Sequence, residues 1–348
     1  MAGSDFFVAQ DLVQPSPQAA TFSVQAGDLA AALQKRVHGE VRFDPGSRAL
    51  YATDLSIYRQ PPIGVVIPRT IDDVIVTVEE CGRRSIPILG RGCGTSLAGQ
   101  TCNIAVVIDF SKHLNRLLAL GPEGRSAHVE PGIIRDDLDK VAQSRHLTFA
   151  PDPATHQYCT IGGMIGNNSC GVHSVMGGKT VDNIEELDIL TYDGLRIRVG
   201  RTSDAELERI IAAGGRRGEI YSKLRDLRDR YAGLVRERFP RIPRRVSGYN
   251  LDELLPENGF HVARALVGTE GTCVTVLGAT VRLIPSPMHR AILVIGYPDL
   301  FRAGEMPRRS GRMAPSASKP FKRTSSRICG EKGSPFPAQN CFRRATPG

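Results

Sequence analysis

The segment Arg91-Gly-Cys-Gly-Thr-Ser-Leu-Ala-Gly-Gln100 constrains this chain more than any other stretch. It follows a short apolar run, Ile86-Pro-Ile-Leu89, and holds three glycines, two hydroxyls and no acid. Successive backbone N–H groups in such a loop can converge into a concave anion nest, and glycine lets the chain bend tightly against a bound phosphate. A second glycine-rich segment, Thr160-Ile-Gly-Gly-Met-Ile-Gly-Asn-Asn-Ser-Cys-Gly171, lies further along. Two such loops separated by regular structure point to a long phosphate-bearing cofactor gripped at two places.

Neither segment fits the commoner phosphate motifs. The first lacks the Lys-Ser/Thr ending of a P-loop, so triphosphate and magnesium chemistry is unsupported. The spacing Gly92-x-Gly94-x-x-Leu97 misses the third glycine of G-x-G-x-x-G. A Rossmann dinucleotide domain is disfavoured, and an ordinary strand-to-loop turn is the bland alternative for the first loop.

The pattern resembles the flavin domain of the vanillyl-alcohol-oxidase or PCMH type. The likeness is to the branch with D-lactate dehydrogenases and the glycolate oxidase flavin subunit. It is carried by Val66-Ile-Pro-Arg69 with Asp72-Asp-Val74, Arg91-Gly-Cys-Gly-Thr-Ser96, Val129-Glu-Pro-Gly132, Cys159-Thr-Ile-Gly-Gly163, Asn167-Asn-Ser-Cys-Gly171 and Gly268-Thr-Glu-Gly-Thr272. These occur in the family's order from about residue 40 to about 287.

The resemblance implies an α+β fold: a two-lobed FAD-binding domain with a small β-α-β lobe and a larger, mixed or antiparallel sheet lobe with flanking helices. It implies that Arg91, Gly92, Cys93, Gly94, Thr95, Ser96 and Gln100 surround the FAD pyrophosphate. Pro131, Gly132, Thr160, Ile161, Gly162, Gly163, Gly166, Asn167, Asn168 and Gly171 would pass beside the ribityl chain and isoalloxazine, and Glu270, Gly271 and Val274 would close the adenine side. For Asn168, a hydrogen bond to the flavin and an Asx-turn fixing the loop both stay open. Covalent members attach flavin through a histidine in or near these loops. The first loop has none, so non-covalent FAD is expected, with His156 and His173 beside the second loop read as solvated.

Composition agrees with a large globular enzyme domain: 348 residues, 41% hydrophobic. No apolar run approaches the roughly 20 residues needed to span a bilayer. The N-terminus lacks the basic and apolar regions of a secretory signal. A cytoplasmic location is expected, or one peripheral to the inner face of a membrane through a partner. Eight cysteines occur without a C-x-x-C pair, which reads as reduced thiols rather than a zinc or iron–sulfur site. Cys93 and Cys170 fall inside the glycine segments, as small fillers more than as nucleophiles.

The net charge of +9 could suggest nucleic acid. Yet residues 302–348 hold eleven Lys or Arg against two Glu, the whole excess, so the preceding part is neutral. That tail contains no Val, Leu, Asp or Tyr, too little apolar surface to offset the entropy of ordering. Its abrupt start favours a shifted reading frame near Arg302 over a natural appendage. A nucleic-acid arm is the remaining reading and is disfavoured, since few aromatics interleave with the arginines. The chain thus divides into 1–24, flexible; 25–60, a helical lead-in; 61–287, the FAD-binding domain; 288–301, the start of a missing substrate domain; and 302–348, the basic tail.

Periodicity places helices over Asp28–Val37, from a cap at Thr70 to about Arg84, over Arg135–Arg145 with Leu138, Val141 and Ala142 inward, and over about 204–212 and 216–238. The last would carry its apolar stripe on Ile220, Leu224, Leu227, Tyr231 and Leu234. Strands are expected at 64–67, 86–89, 105–109, 117–120, 126–129, 187–192, 195–199, 263–267 and 272–284. Asp193-Gly194 marks a tight hairpin.

A flavin accepts a hydride at N5, so the protein must supply binding, orientation and electrostatics. The resemblance implies oxidation of a D-2-hydroxy acid, D-lactate or glycolate-like, with the catalytic groups in the substrate domain and the electron acceptor unassigned. Two alternatives stay open: a non-catalytic FAD-binding subunit that needs a partner chain, and an enolpyruvyl-sugar reductase of the same fold.

Overall fold

A computed structural model describes residues 17–121, 124–289 and 296–302. The chain divides after Pro287 into two units. Within the first, the smaller lobe is a four-stranded sheet in the order β1-β2-β4-β3, from β1 (Glu40–Arg42), β2 (Gly64–Ile67), β3 (Ile88–Arg91) and β4 (Val106–Asp109). Strands β2, β3 and β4 are parallel, and β1 runs antiparallel to β2. Strands β2 and β4 are buried on both faces, as expected of a covered parallel sheet.

Helices α1 (Pro17–Arg36), α2 (Pro45–Leu50) and α3 (Ile71–Arg83) belong to this lobe. Helix α3 starts as expected: Thr70 Oγ1 accepts from Asp73 N at 3.2 Å, and Asp73 Oδ2 accepts from Thr70 N at 3.2 Å. Leu29, Leu33 and Val37 are buried with Val66, Cys81 and Val106. Helix α1 begins at Pro17, inside the segment read as loose. Proline suits a first turn and alanines follow it, so polarity alone was a poor guide.

The larger lobe is a five-stranded antiparallel sheet, β5-β6-β10-β8-β9. It comprises β5 (Leu117–Leu120), β6 (Ser126–Val129), β8 (Ile184–Thr191), β9 (Arg196–Val199) and β10 (Val274–Arg282). A small pair, β7 (Leu147–Thr148) and β11 (Ile284–Pro285), adjoins it. The Asp193-Gly194 hairpin forms, with Gly194 at φ 92°. Helices α4 (Arg135–Gln143), α5 (Ile161–Asn167), α6 (Ser174–Gly177), α7 (Asp204–Ala213), α8 (Gly215–Arg238) and α9 (Val262–Ala265) complete the lobe. The lobes join through Val74, Val78, Ile108 and Phe110 on one side and Leu190 and Leu277 on the other.

Three expectations are corrected. Residues 263–267 hold helix α9 rather than a strand, a short apolar run whose period cannot separate the two. In α4, Leu138 and Ala142 are buried but Val141 is exposed. In α8, Gly218, Tyr221 and Val235 are buried and Leu234 is exposed. Gly218 backs onto α7, where a Cβ would lie 3.0 Å from Ile210 O, and this close approach sets the helix's rotation. Residues 290–295, within the expected start of a substrate domain, and the tail from 303 lie outside the described residues.

Candidate FAD site

Strand β3 delivers Arg91 buried at the mouth of the first loop. Its guanidinium donates to Tyr51 O at 3.1 Å, Thr101 O at 3.0 Å and Thr53 O at 2.7 Å, and lies over the Tyr51 ring at 5.3 Å. Arg91 therefore straps the loop to the 51–54 segment instead of reaching outward. Leu55 N donates to Gly94 O at 3.0 Å, and Thr101 Oγ1 donates to Asp54 at 2.9 Å. Gln100 is also engaged internally, accepting from Ala98 N. Gly94 holds φ 69° and Gly99 φ 82°. Among the described residues, no N–H from Cys93 to Leu97 has a protein acceptor. These are donors that an anion nest would draw on.

The second segment is a helix rather than a loop. Thr160 caps α5, its hydroxyl accepting from Gly163 N at 3.2 Å. Three glycines weaken helix propensity, but the cap and packing against Pro131 outweigh them. Ile161 N donates to Ile133 O at 2.9 Å and Gly162 N to Pro131 O at 2.7 Å. A Cβ on Gly132 would lie 2.0 Å from Phe110 O, and one on Gly162 2.7 Å from Pro131 Cβ, so both support the helix from behind.

The two glycine segments meet. A Cβ on Gly92 would fall 2.2 Å from Thr160 Oγ1. From that junction the open edge of α5 shows bare backbone at Gly163, which is exposed, and at Gly166, where a Cβ would meet nothing within 4 Å. Asn168 ends the helix at φ 52°. It is fully buried, its Oδ1 accepts from Val181 N at 3.0 Å, and its Nδ2 has no partner among the described residues. The bond fixes the loop to a segment 13 residues on rather than as an Asx-turn, and the covered Nδ2 does not face open space. Asn167 is exposed, and its Oδ1 accepts from Ser169 Oγ.

The third segment closes on the same helix. Gly268 N donates to Ile165 O at 2.9 Å and Glu270 N to Gly166 O at 3.0 Å. Glu270 holds φ 52° and Gly271 φ 71°, and burial pushes the Glu270 carboxyl above its ordinary range. Val274 is a buried core residue at the start of β10. Sequence reasoning missed Gly248-Tyr249-Asn250, which backs this turn. Gly248 is at φ 81°, Tyr249 Oη and Thr272 Oγ1 are 2.8 Å apart, and buried Asn250 donates to Val267 O at 2.7 Å. A glycine between Ser247 and two polar ring or amide side chains was the available signal.

His156 and His173 are not simply solvated. His156 Nδ1 lies 2.8 Å from Asp136 Oδ2, and His173 Nδ1 bonds Asp152. Each carboxylate lies on a different stretch of chain from its histidine, which a local reading cannot see. Burial and then Asp109 push the Cys93 thiol up, which disfavours a thiolate nucleophile.

Burial, then Arg264 and Arg201, push the His261 imidazole down to about 4. A folded value below the unfolded one of about 6.5 means the unfolded chain binds the proton first. Stability therefore falls as pH drops from about 6.5 towards 4. In His261→Gln, melting temperature should decline less steeply between pH 6.5 and 5 than in the parent; parallel slopes would refute the linkage.

Comparison with known proteins points to the same cofactor. Residues 62–200 match the FAD binding domain family. The chain carries a PCMH-type FAD-binding domain. It is 32% identical over 279 residues to D-2-hydroxyglutarate dehydrogenase of Pseudomonas putida, covering 79% of this chain and 28% of that protein. It is 28% identical over 275 residues to glycolate oxidase subunit GlcD of Bacillus subtilis, covering 78% of this chain and 48% of that one. The chain thus spans between about a quarter and half the length of these relatives. Two solved structures share the fold. One is an alkyldihydroxyacetonephosphate synthase, TM-score 0.53 at 16% identity, covering 76% of this chain and 41% of that one. The other is the Microdochium nivale carbohydrate oxidase, TM-score 0.52 at 14% identity, covering 74% and 44%. Among the described residues no helix is long and apolar enough to cross a membrane.

Proposed function

We propose that this FAD-binding domain serves an oxidoreductase that oxidises a D-2-hydroxy acid, of the D-2-hydroxyglutarate, glycolate or D-lactate kind. The observation that carries the reading is the junction of the first loop with α5 at Gly92 and Thr160. An unpaired N–H nest for the pyrophosphate lies on one side of it, and an uncovered glycine edge for the ribityl chain and ring on the other. Bound there, the flavin would take the substrate's hydride at N5. Cys93 to Leu97 would donate to the phosphates, and Gly163 and Gly166 would admit the cofactor closely.

The proposed FAD is non-covalent. The first loop has no histidine, and the imidazoles at 156 and 173 are each held by a carboxylate through Nδ1. The test is purification with flavin analysis. One FAD per chain, released into the supernatant on acid precipitation, supports the reading. A chain that purifies colourless and neither binds nor quenches added FAD overturns it, and flavin remaining with the precipitate overturns the non-covalent assignment.

A further inference from the structure

A cavity of about 340 Å³ opens where the C-terminal end of α8 meets the 239–245 segment and the turns Val181–Asn183 and Leu251–Leu254. None of the residues assigned to FAD lines it. Its volume falls in the range of small-molecule sites, about 300–1,000 Å³. The apolar wall is firm. Val181, Val235 and Leu255 are buried, and Phe239 is held by Arg245, whose guanidinium lies 4.8 Å over the ring.

Basic and acidic side chains also line the cavity, and most of them are already matched. Lys179 Nζ meets Asp182 at 3.1 Å, Arg245 meets Asp252 at 2.5 Å, and Arg236 forks onto Glu257 at 2.8 and 2.9 Å. Two groups are left over. Arg241 is exposed and makes no hydrogen bond or ion pair among the described residues. The Glu253 carboxylate accepts no hydrogen bond among the described residues, and its ion-pair contact, Arg264 Nη1, stands at 4.0 Å. The rest of that guanidinium is engaged with Ile184 O and Asp182 O. The Glu253 side chain is 14% exposed, and burial pushes its carboxyl above the ordinary range. A carboxylate so placed gains from a charged donor supplied through the cavity.

The leftover pair sets the chemistry of the ligand. An ammonium suits Glu253, a carboxylate suits the fork of Arg241, and the walls take an apolar body. A plain carboxylic acid would leave Glu253 unmatched, and a plain amine would leave Arg241 so. We propose that this cavity binds a small apolar zwitterion, an amino acid with an aliphatic side chain, its carboxylate on Arg241 and its ammonium on Glu253. The site uses no FAD-holding residue, so it stands or falls apart from the proposed function.

The test titrates the full chain, 13C-labelled on the methyl groups of Ile, Leu and Val, with three probes that share one apolar body. L-Leucine carries both charges, 3-methylbutylamine the ammonium alone, and 4-methylpentanoate the carboxylate alone. L-Leucine should move the methyl resonances of Ile242, Val235 and Leu255 saturably. Each single-charge probe should bind about tenfold or more weakly, the scale of one charge-assisted hydrogen bond. Arg241→Met should bring L-leucine down to the affinity of the amine and leave the amine unaffected. Glu253→Gln should bring L-leucine down to the affinity of the acid and leave the acid unaffected. Loosened packing alone would not sort the probes by charge in opposite ways. Methyl resonances that stay fixed at high L-leucine concentration, single-charge probes that bind as well as L-leucine, or parent-like L-leucine affinity in Arg241→Met overturn the site. So does an Arg241→Met protein in which all three probes weaken alike, since that side chain is exposed and unpaired and its loss leaves the fold in place.

Discussion

Gly166→Leu should abolish FAD retention while leaving the fold intact or slightly firmer. Gly166 lies inside α5, and a Cβ there meets no atom within 4 Å. In an empty protein the new side chain projects into open space. Replacing a helical glycine by a good helix former is worth about 0.5–1 kcal/mol in favour of the folded state. With FAD seated along the glycine edge the same side chain occupies cofactor volume, so binding should weaken by two orders of magnitude or more, as expected when about 3 kcal/mol of contact and desolvation is lost. Thermal melting of the apo form and fluorescence titration with FAD separate the two effects. Unchanged FAD affinity would show that the cofactor does not run along α5. A lowered apo melting temperature would show that the open space is needed for packing. Gly162 cannot serve this purpose, because its Cβ would already collide with Pro131.

The contrast between Gly162 and Gly166 marks where sequence reading stopped. Both were legible as places where the chain stays bare, and the order of glycine segments was enough to find the domain. Their opposite roles, one facing Pro131 and one facing outward, depend on α5 being a helix. Nothing local says so: Gly162, Gly163 and Gly166 argue against it, and only Thr160 at the cap argues for it. The deciding contacts, Pro131 and Ile133 behind the helix and Gly268 and Glu270 at its end, come from segments distant in the chain. The elements read correctly are those fixed by neighbours. Thr70 and Asp73 close a capping box three residues apart, and Asp193-Gly194 supplies the positive φ of a tight turn. The buried face of α8 was misplaced for the opposite reason. It follows Gly218 against α7 and Arg228, which lies 5.3 Å over the Phe260 ring, and a hydrophobic stripe does not register either. His156 and His173 likewise find their carboxylates only after folding.

Arg91→Lys should lose FAD almost as completely as Arg91→Met, although it keeps the positive charge. An arginine at the head of a phosphate loop invites the reading that its charge meets the pyrophosphate, and a lysine would then preserve much of the binding. The structure assigns the guanidinium elsewhere: three donated bonds, to Tyr51, Thr53 and Thr101, tie both ends of the loop to one segment. A lysine is a point donor on a flexible stem and cannot hold three divergent carbonyls in one plane. A fully buried carbonyl left unpaired costs about 1–3 kcal/mol; these three lie in half-buried or exposed residues and lose less, so both variants should melt a few degrees below the parent. The loop itself should loosen, because Gly94 holds its left-handed turn directly against Arg91: a Cβ on Gly94 would lie 2.6 Å from Arg91 Nη2. Without that strap the N–H groups from Cys93 to Leu97 have no fixed direction, and an anion nest works only when its donors are set before the ligand arrives. Melting temperature and FAD affinity should therefore fall together in both variants. If Arg91→Lys keeps near-parent FAD affinity while Arg91→Met loses it, the side chain acts by charge on the phosphates and the strap is incidental.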